Sequence, residues 1–153
     1  MKSIVWSHKY GVIQADLDSH HKILYEYIEM LEGLARDNSL SKNTVKDVFR
    51  ELYKYTRYHF AFEERLMKKY AYPAYIPHKC EHVDFTRRVH EFHIAYLNKG
   101  AHICSLFTQF TKSWFVDHIA SSDKPLAEYC QGRGFDIEEP FAEYSLGRHP
   151  KDS

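Results

Sequence analysis

The chain has 153 residues, the length of one ordinary domain with enough sequence to bury a core. Lys plus Arg and Asp plus Glu number 21 each, so the formal charge is zero, and no long basic block is present to bind nucleic acid or an anionic membrane surface. With 44% hydrophobic and 16% aromatic residues, the composition is that of a folded globular protein and excludes a disordered one.

The sequence also argues against a membrane or secreted protein. No apolar run approaches the roughly 18–20 residues that a membrane span needs, so we expect no membrane insertion. His8 and Lys9 lie where a signal peptide needs a continuous apolar stretch, which favours a cytoplasmic location. Cys80, Cys104 and Cys130 are odd in number and widely spaced, and they match neither a disulfide framework nor a paired-cysteine zinc site.

The first two predicted elements are amphipathic helices. The first covers about residues 18–37, and the second covers about residues 44–69. In both, apolar and aromatic residues recur at three- and four-residue steps, as in the series Leu24, Ile28 and Leu31 of the first helix.

Helix-breaking residues bracket the last two predicted helices. Pro73 and Pro77 follow the second helix, and proline is tolerated in a first helical turn, so the third helix is predicted over about residues 76–97. Residues 98–100 (Asn-Lys-Gly) form a helix stop, and the fourth helix is predicted over about residues 102–121.

Short connections between four helices of similar length favour an all-α, antiparallel up-down-up-down four-helix bundle. We expect a single domain over residues 1–153. It would comprise an N-terminal arm (about 1–17), the bundle (about 18–130) and a C-terminal tail (about 131–153).

Several of the eleven histidines fall on the apolar stripes. His59 and Glu63 are four residues apart, which on a helix leaves the side chains about 40° apart in azimuth and about 6 Å apart along the axis. Both can therefore reach one metal site, and His78 and His82 repeat the spacing on the third helix. Burial of such polar groups is unfavourable unless they are paired or coordinate a metal.

The first and fourth helices each direct a histidine inward as well. His21 lies on the inward stripe of the first, and His118 follows Trp114 by one turn on the fourth. Asp123 is five residues after His118, which on an ideal helix means about 140° of rotation, so the two would not share a face. Because Pro125 disturbs the turn before it, a widened turn or a helix end there would swing Asp123 inward.

The remaining histidines are given structural or surface roles. His20 points about 100° away from His21 and is predicted to be a surface or capping residue. His93 is predicted to be a buried or helix-end histidine, and Cys80 to face away from His78. Structural or surface positions are also predicted for His8, His90, His102 and His149.

The combined pattern resembles the hemerythrin family, specifically its stand-alone bacterial members, the bacteriohemerythrins. The resemblance covers about residues 5–130. It includes Trp114 and the opening Asp18-x-x-His21-Lys22. The motifs that carry it are His21, His59-x-x-x-Glu63, His78-x-x-x-His82 and His118-x-x-x-x-Asp123.

The resemblance implies two iron ions joined by an oxo or hydroxo bridge (Fe–O–Fe or Fe–OH–Fe), with O2 bound reversibly as hydroperoxide on the five-coordinate iron. It implies an O2 carrier for storage or delivery and not an enzyme. Azide and similar small anions would compete for the open iron, and an O2-consuming oxidase would be the partner for delivery. The implied ligands are His78, His82 and His118 on one iron, His21 and His59 on the other, and Glu63 and Asp123 as bridges.

Two further residues take implied roles near this centre. Phe115, one turn before the last histidine, is expected to line the O2 pocket, where the family typically has a smaller aliphatic residue such as Leu. Trp114 is expected to support the ligands from outside.

Three alternatives stay open on the sequence alone. A diiron enzyme is one, although no histidine has a Glu three residues before it, as the Glu-x-x-His motif of ferritin-like oxidases requires. A sensor of O2, nitric oxide or redox state is another, although no signalling module is present. The third is a zinc-binding or metal-free bundle.

Overall fold

A computed structural model describes residues 15–36, 42–99 and 102–134, nearly all of them helical. The predicted arm therefore lies outside the described residues except for its last three, and so does the tail after residue 134. No helix in the described part is long and apolar enough to cross a membrane. The elements are α1 (Ala15–Arg36), α2 (Lys42–Lys69), α3 (Tyr75–Lys99), α4 (His102–His118), a π-helical turn (Ile119–Asp123) and α5 (Lys124–Gln131).

The four long helices form a closed ring. Helix α1 packs against α2 and α4, and α3 packs against the same two helices. The connections are short, so sequential neighbours run antiparallel. The predicted all-α four-helix bundle is thereby confirmed.

The bundle core is built largely from aromatic and branched aliphatic side chains. Phe49 of α2 lies 4.7 Å from Phe107 of α4 between ring centroids, and Phe85 of α3 lies 4.2 Å from Trp114 of α4. Burial of each such side chain contributes about 1.5–3 kcal/mol. The fully buried apolar side chains of α1 are the predicted stripe residues Leu24, Ile28 and Leu31.

A tight turn separates α2 from α3. Ala71 has a φ of 50°, in the left-handed region, and the amide of Tyr72 donates to the carbonyl oxygen of Met67 at 2.8 Å. This is the hydrogen bond with which a helix commonly closes its last turn. The turn reverses the chain and brings the start of α3 beside the end of α2.

The predicted end of the fourth helix, at about residue 121, is too early. Beyond residue 121 the helix continues through the π-helical turn into α5, with Pro125 in the first turn of α5, where a missing amide donor is tolerated. Leu126 and Cys130 of α5 pack against Met67 of α2. The hydroxyl of Tyr129 donates to the carbonyl of Ala71, so α5 closes over the α2–α3 turn.

Candidate metal centre

The seven predicted ligands lie together inside the bundle, and all are buried. They come from the start of α1, the later half of α2, the start of α3 and the end of α4 with its π-helical turn. In an antiparallel bundle these segments share one end of the molecule. The short α2–α3 turn and α5 cover that same end.

The ligand atoms fall into two overlapping groups. Within each group, one donor atom per residue lies within 4.8 Å of every other. The two carboxylates belong to both groups, whereas each imidazole belongs to one. The first group is Glu63, His78, His82, His118 and Asp123; the second is His21, His59, Glu63 and Asp123.

Asp123 presents one oxygen to each group. Its Oδ2 lies 2.9 Å from Nε2 of His21, in the two-histidine group. Its Oδ1 lies 2.9 Å from Nε2 of His118 and 3.2 Å from Nε2 of His78, both in the three-histidine group. The carboxylate therefore spans the space between the groups.

Glu63 has the same arrangement from the opposite side of the bundle. Its Oε1 faces Nε2 of His59 at 3.7 Å, while its Oε2 lies 3.0 Å from Nε2 of His82 and 3.5 Å from Nε2 of His78. Two carboxylates that each turn one oxygen to either group are what a pair of bridged metal ions requires.

The π-helical turn explains how His118 and Asp123 share a face. Along this turn the amide of Lys124 donates to the carbonyl of Ile119, five residues back, so the helix is locally wider than an α-helix. The additional residue lets a five-residue spacing bring Asp123 to the side on which His118 lies. The predicted widened turn before Pro125 is confirmed.

The charges in the pocket support each other. Burial opposes a charge on His118, but the neighbouring Asp123 carboxylate raises the pKa of the imidazole to about 10. Burial also opposes a charge on His78, but Asp123 and Glu63 raise its pKa to about 9. In turn, burial resists ionisation of Asp123, yet His118 and the other imidazoles hold its pKa well below the usual value.

Many polar atoms in the pocket lack a hydrogen bond of good geometry, which is unusual for buried groups, although most of them lie within 3.7 Å of an ion-pair partner. They are Nε2 of His59, both oxygens of Glu63, both ring nitrogens of His78 and Oδ1 of Asp123. Several of these atoms converge on the spaces between the donors. Imidazole and carboxylate together suit divalent transition metals, iron among them. The residues therefore fit a pair of metal ions.

His20 was predicted to be a surface or capping residue, and that prediction is wrong. The side chain is buried, and its Nδ1 lies 3.2 Å from Nδ1 of His59. Helix α1 buries a wide face, and His20 lies one turn before Leu24 and two turns before Tyr27 on that face. Burial lowers the pKa of His20 to about 4, so the ring is neutral at pH 7. The apolar residues one and two turns later were the available sequence signal.

Other residues contact the imidazoles from outside, and two of them were not foreseen. Glu81 accepts from Nδ1 of His118 at 2.5 Å, and Glu64 lies 3.4 Å from Nδ1 of His82. Trp114, which was foreseen, stacks on His118 with ring centroids 4.2 Å apart. Contacts of this kind fix the orientation of a ligating imidazole.

The remaining predicted positions are as follows. Phe115 is buried and packs against Phe85 and Trp114 at 5.3 Å each, and its role in an O2 pocket stays a prediction. Cys80 is exposed, as predicted. His93 is half-buried beside Phe49, at 5.9 Å between ring centroids. His90 and His102 are exposed, whereas His8 and His149 lie outside the described residues.

Comparison with known proteins gives consistent matches. A model of the hemerythrin HHE cation binding domain matches residues 12–130. A bacteriohemerythrin of Stenotrophomonas maltophilia is 31% identical over 129 residues, or 84% of this chain and 82% of that protein. A myohemerythrin of Sipunculus nudus is 28% identical over 119 residues, or 78% of this chain and 87% of that protein. The crystal structure of wild-type hemerythrin shares the fold with a TM-score of 0.74 at 23% identity, covering 82% of this chain and 95% of that one.

Proposed function

The chain belongs to the hemerythrin family, and on that premise we propose that its two donor groups hold a pair of iron ions that binds O2 reversibly. The observation that carries the proposal is the placement of the two shared carboxylates. Glu63 and Asp123 are fully buried, and each directs one oxygen to either group of imidazoles. A single metal ion would not use both oxygens of both residues in this way.

The two groups differ by one donor. Three imidazoles and two carboxylate oxygens would hold one ion, whereas two imidazoles and two carboxylate oxygens would hold the other. The second ion would therefore have one more position open to a small ligand. A pair of irons supplies at that position the two electrons that reversible O2 binding needs.

Aromatic residues beside the donor groups would keep water from the centre. Phe85 and Phe115 are fully buried, and Trp114 contacts both of them and stacks on His118 of the three-histidine group. A dry, apolar wall disfavours the departure of a charged product, because a charge released into it would lack solvation. This wall favours a carrier over an enzyme that turns O2 over.

The proposal extends to ligands and to cellular setting. Azide and other small anions would compete with O2 for the open position. The protein would store O2 in the cytoplasm or deliver it to an O2-consuming oxidase there. Nucleic acid is not a proposed partner, since the chain carries no net charge.

The test is oxygenation followed in the visible spectrum. The iron-loaded protein is reduced without air, exposed to O2 and then freed of it, over several cycles. An absorption that appears with O2 and disappears with its removal supports the carrier. A rapid one-way conversion to the oxidised form would refute it in favour of a diiron enzyme or a redox sensor, and iron analysis would identify a zinc-binding or metal-free bundle.

A further inference from the structure

Glu81 lies outside both donor groups, yet its carboxylate contacts the helix that carries His118 and Asp123. Oε2 of Glu81 accepts a hydrogen bond from Nδ1 of His118 at 2.5 Å. The hydroxyl of Ser122 donates to Oε1 and Oε2 of the same carboxylate, at 3.0 and 2.9 Å. One side chain of α3 is therefore bonded at two points along α4 and its continuation.

The first point lies just before the π-helical turn, and the second lies within it. His118 is the last residue of α4, and Ser122 directly precedes Asp123, the last residue of the turn. A π-helical turn is a rare and less regular geometry than an α-helix. A carboxylate bonded to the residue before the turn and to the neighbour of Asp123 would restrain the distance between these two residues, and with it the relative positions of His118 and Asp123.

The contact also determines which nitrogen of His118 faces the centre. When Nδ1 carries the proton that Glu81 accepts, Nε2 is the nitrogen left to coordinate. Nε2 of His118 is the atom that lies 2.9 Å from Oδ1 of Asp123, on the inner side of the ring. The proton position and the ring orientation therefore agree with coordination through Nε2.

Glu81 makes the closest of the outer contacts to the imidazoles. The carboxylate of Glu64 lies farther from its imidazole, at 3.4 Å from Nδ1 of His82. It also forms an ion pair with Lys79, at 3.2 Å. His59 meets an imidazole, that of His20, at 3.2 Å and not a carboxylate.

We propose that Glu81 is a positioning residue for the three-histidine group. It would orient His118 and brace the π-helical turn that presents Asp123, and its loss would weaken one metal site selectively. The inference rests on the proposed pair of metal ions. It predicts an asymmetric effect, because Glu81 bonds directly to His118, which belongs only to the three-histidine group, and reaches the shared Asp123 only through its neighbour Ser122.

The experiment uses cobalt(II) as the probe, loaded into the full chain and withdrawn by titration with a chelator, with the visible absorption of the bound cobalt recorded throughout. The wild type should release cobalt in two steps. Glu81→Ala should weaken one step about 10–100-fold and alter the absorption of that cobalt, while the other step stays near its wild-type value. Glu81→Gln, which retains the shape and one accepting oxygen, should show a smaller loss.

Two further variants separate bracing from general stability. Ser122→Ala removes only the second contact and should weaken the same step by less than Glu81→Ala does. Glu91→Gln is the matched control, because Glu91 is an exposed residue of α3 that pairs with Arg87, away from both donor groups. It should leave both steps and both absorptions unchanged.

The outcomes distinguish the inference from the proposed function. Equal weakening of both steps, or two unchanged steps in Glu81→Ala and Glu81→Gln, would overturn the positioning role even if the wild type binds O2. Selective weakening in a protein that fails to bind O2 reversibly would remove the proposed function and leave the positioning role. A wild type that takes up no cobalt would overturn the inference.

Discussion

Removal of the metal should destabilise this bundle strongly, since the pocket then buries polar atoms that lack well-formed hydrogen bonds and have at best ion-pair contacts with each other. Six such atoms belong to His59, Glu63, His78 and Asp123. A buried polar group without a partner costs about 1–3 kcal/mol, and the lower figure is appropriate where ion pairs such as that of Asp123 with His118 give partial compensation. The metal-free fold should then lie about 6 kcal/mol above one in which these atoms are satisfied.

That energy is large beside the stability of the chain. Domains are stable by about 5–15 kcal/mol in total, so the metal-free form should be only marginally folded. At about 2–4 °C per kcal/mol for a chain of this size, metal binding should raise the Tm by about 12–24 °C. Thermal unfolding followed by far-UV circular dichroism measures this, with metal-loaded and chelator-treated samples side by side.

His59→Leu is the informative variant for this reasoning. Burial lowers the pKa of His59 to about 3, so the native imidazole is neutral and its removal changes no charge at pH 7. The variant should change the Tm of the metal-free protein only slightly, because the lost contact with Nδ1 of His20 offsets the removal of the unsatisfied Nε2, while it reduces the rise that metal produces. Coincident Tm values for loaded and metal-free wild type would refute the argument that the pocket is unsatisfied without metal.

Three other measurements follow from the structure. Phe115→Leu should speed O2 association and change the autoxidation rate, at a stability cost of about 1 kcal/mol; stopped-flow rates equal to wild type would contradict a pocket role. Metal uptake at pH 7 should release about two protons, from His78 and His118, because their raised pKa values keep both imidazoles protonated without metal. The release should vanish as the pH rises through 9 to 10, and a pH-indicator dye measures the number of protons released. Phe60→Ala should cost about 3–5 kcal/mol in urea unfolding, since its ring stacks on His82 at 3.8 Å, and an unshifted midpoint would contradict this.

Much of the centre could be predicted from the sequence because ligand spacing on a helix is a local property. A four-residue step brings two side chains to one face of a helix regardless of the rest of the fold, so the ligand pairs on α2 and α3 could be predicted from their spacing. The shared face of His118 and Asp123 could be predicted as well, since Pro125 indicated where the helix departs from regular α-helical geometry.

What the sequence did not disclose depends on contacts between helices. The burial of His20 depends on how wide a face α1 turns towards α2, and a single stripe of apolar residues does not define that width. The sequence of α3 alone indicates a solvent-exposed Glu81, and its carboxylate gains a partner only because α4 packs against α3. The continuation into α5 was missed because Pro125 ends many helices but is tolerated in the first turn of another.

The sharing of carboxylates between the donor groups gives the bundle an approximate internal repeat. Helices α1 and α2 form one hairpin and α3 and α4 a second, and in each the later helix supplies a histidine followed by the shared acid. The earlier helix of each hairpin supplies a histidine too, His21 or His78. Four residues further along, α3 has His82 where α1 has Tyr25, and both side chains are buried. The inequality of the two halves thus comes down to one imidazole in place of one phenol.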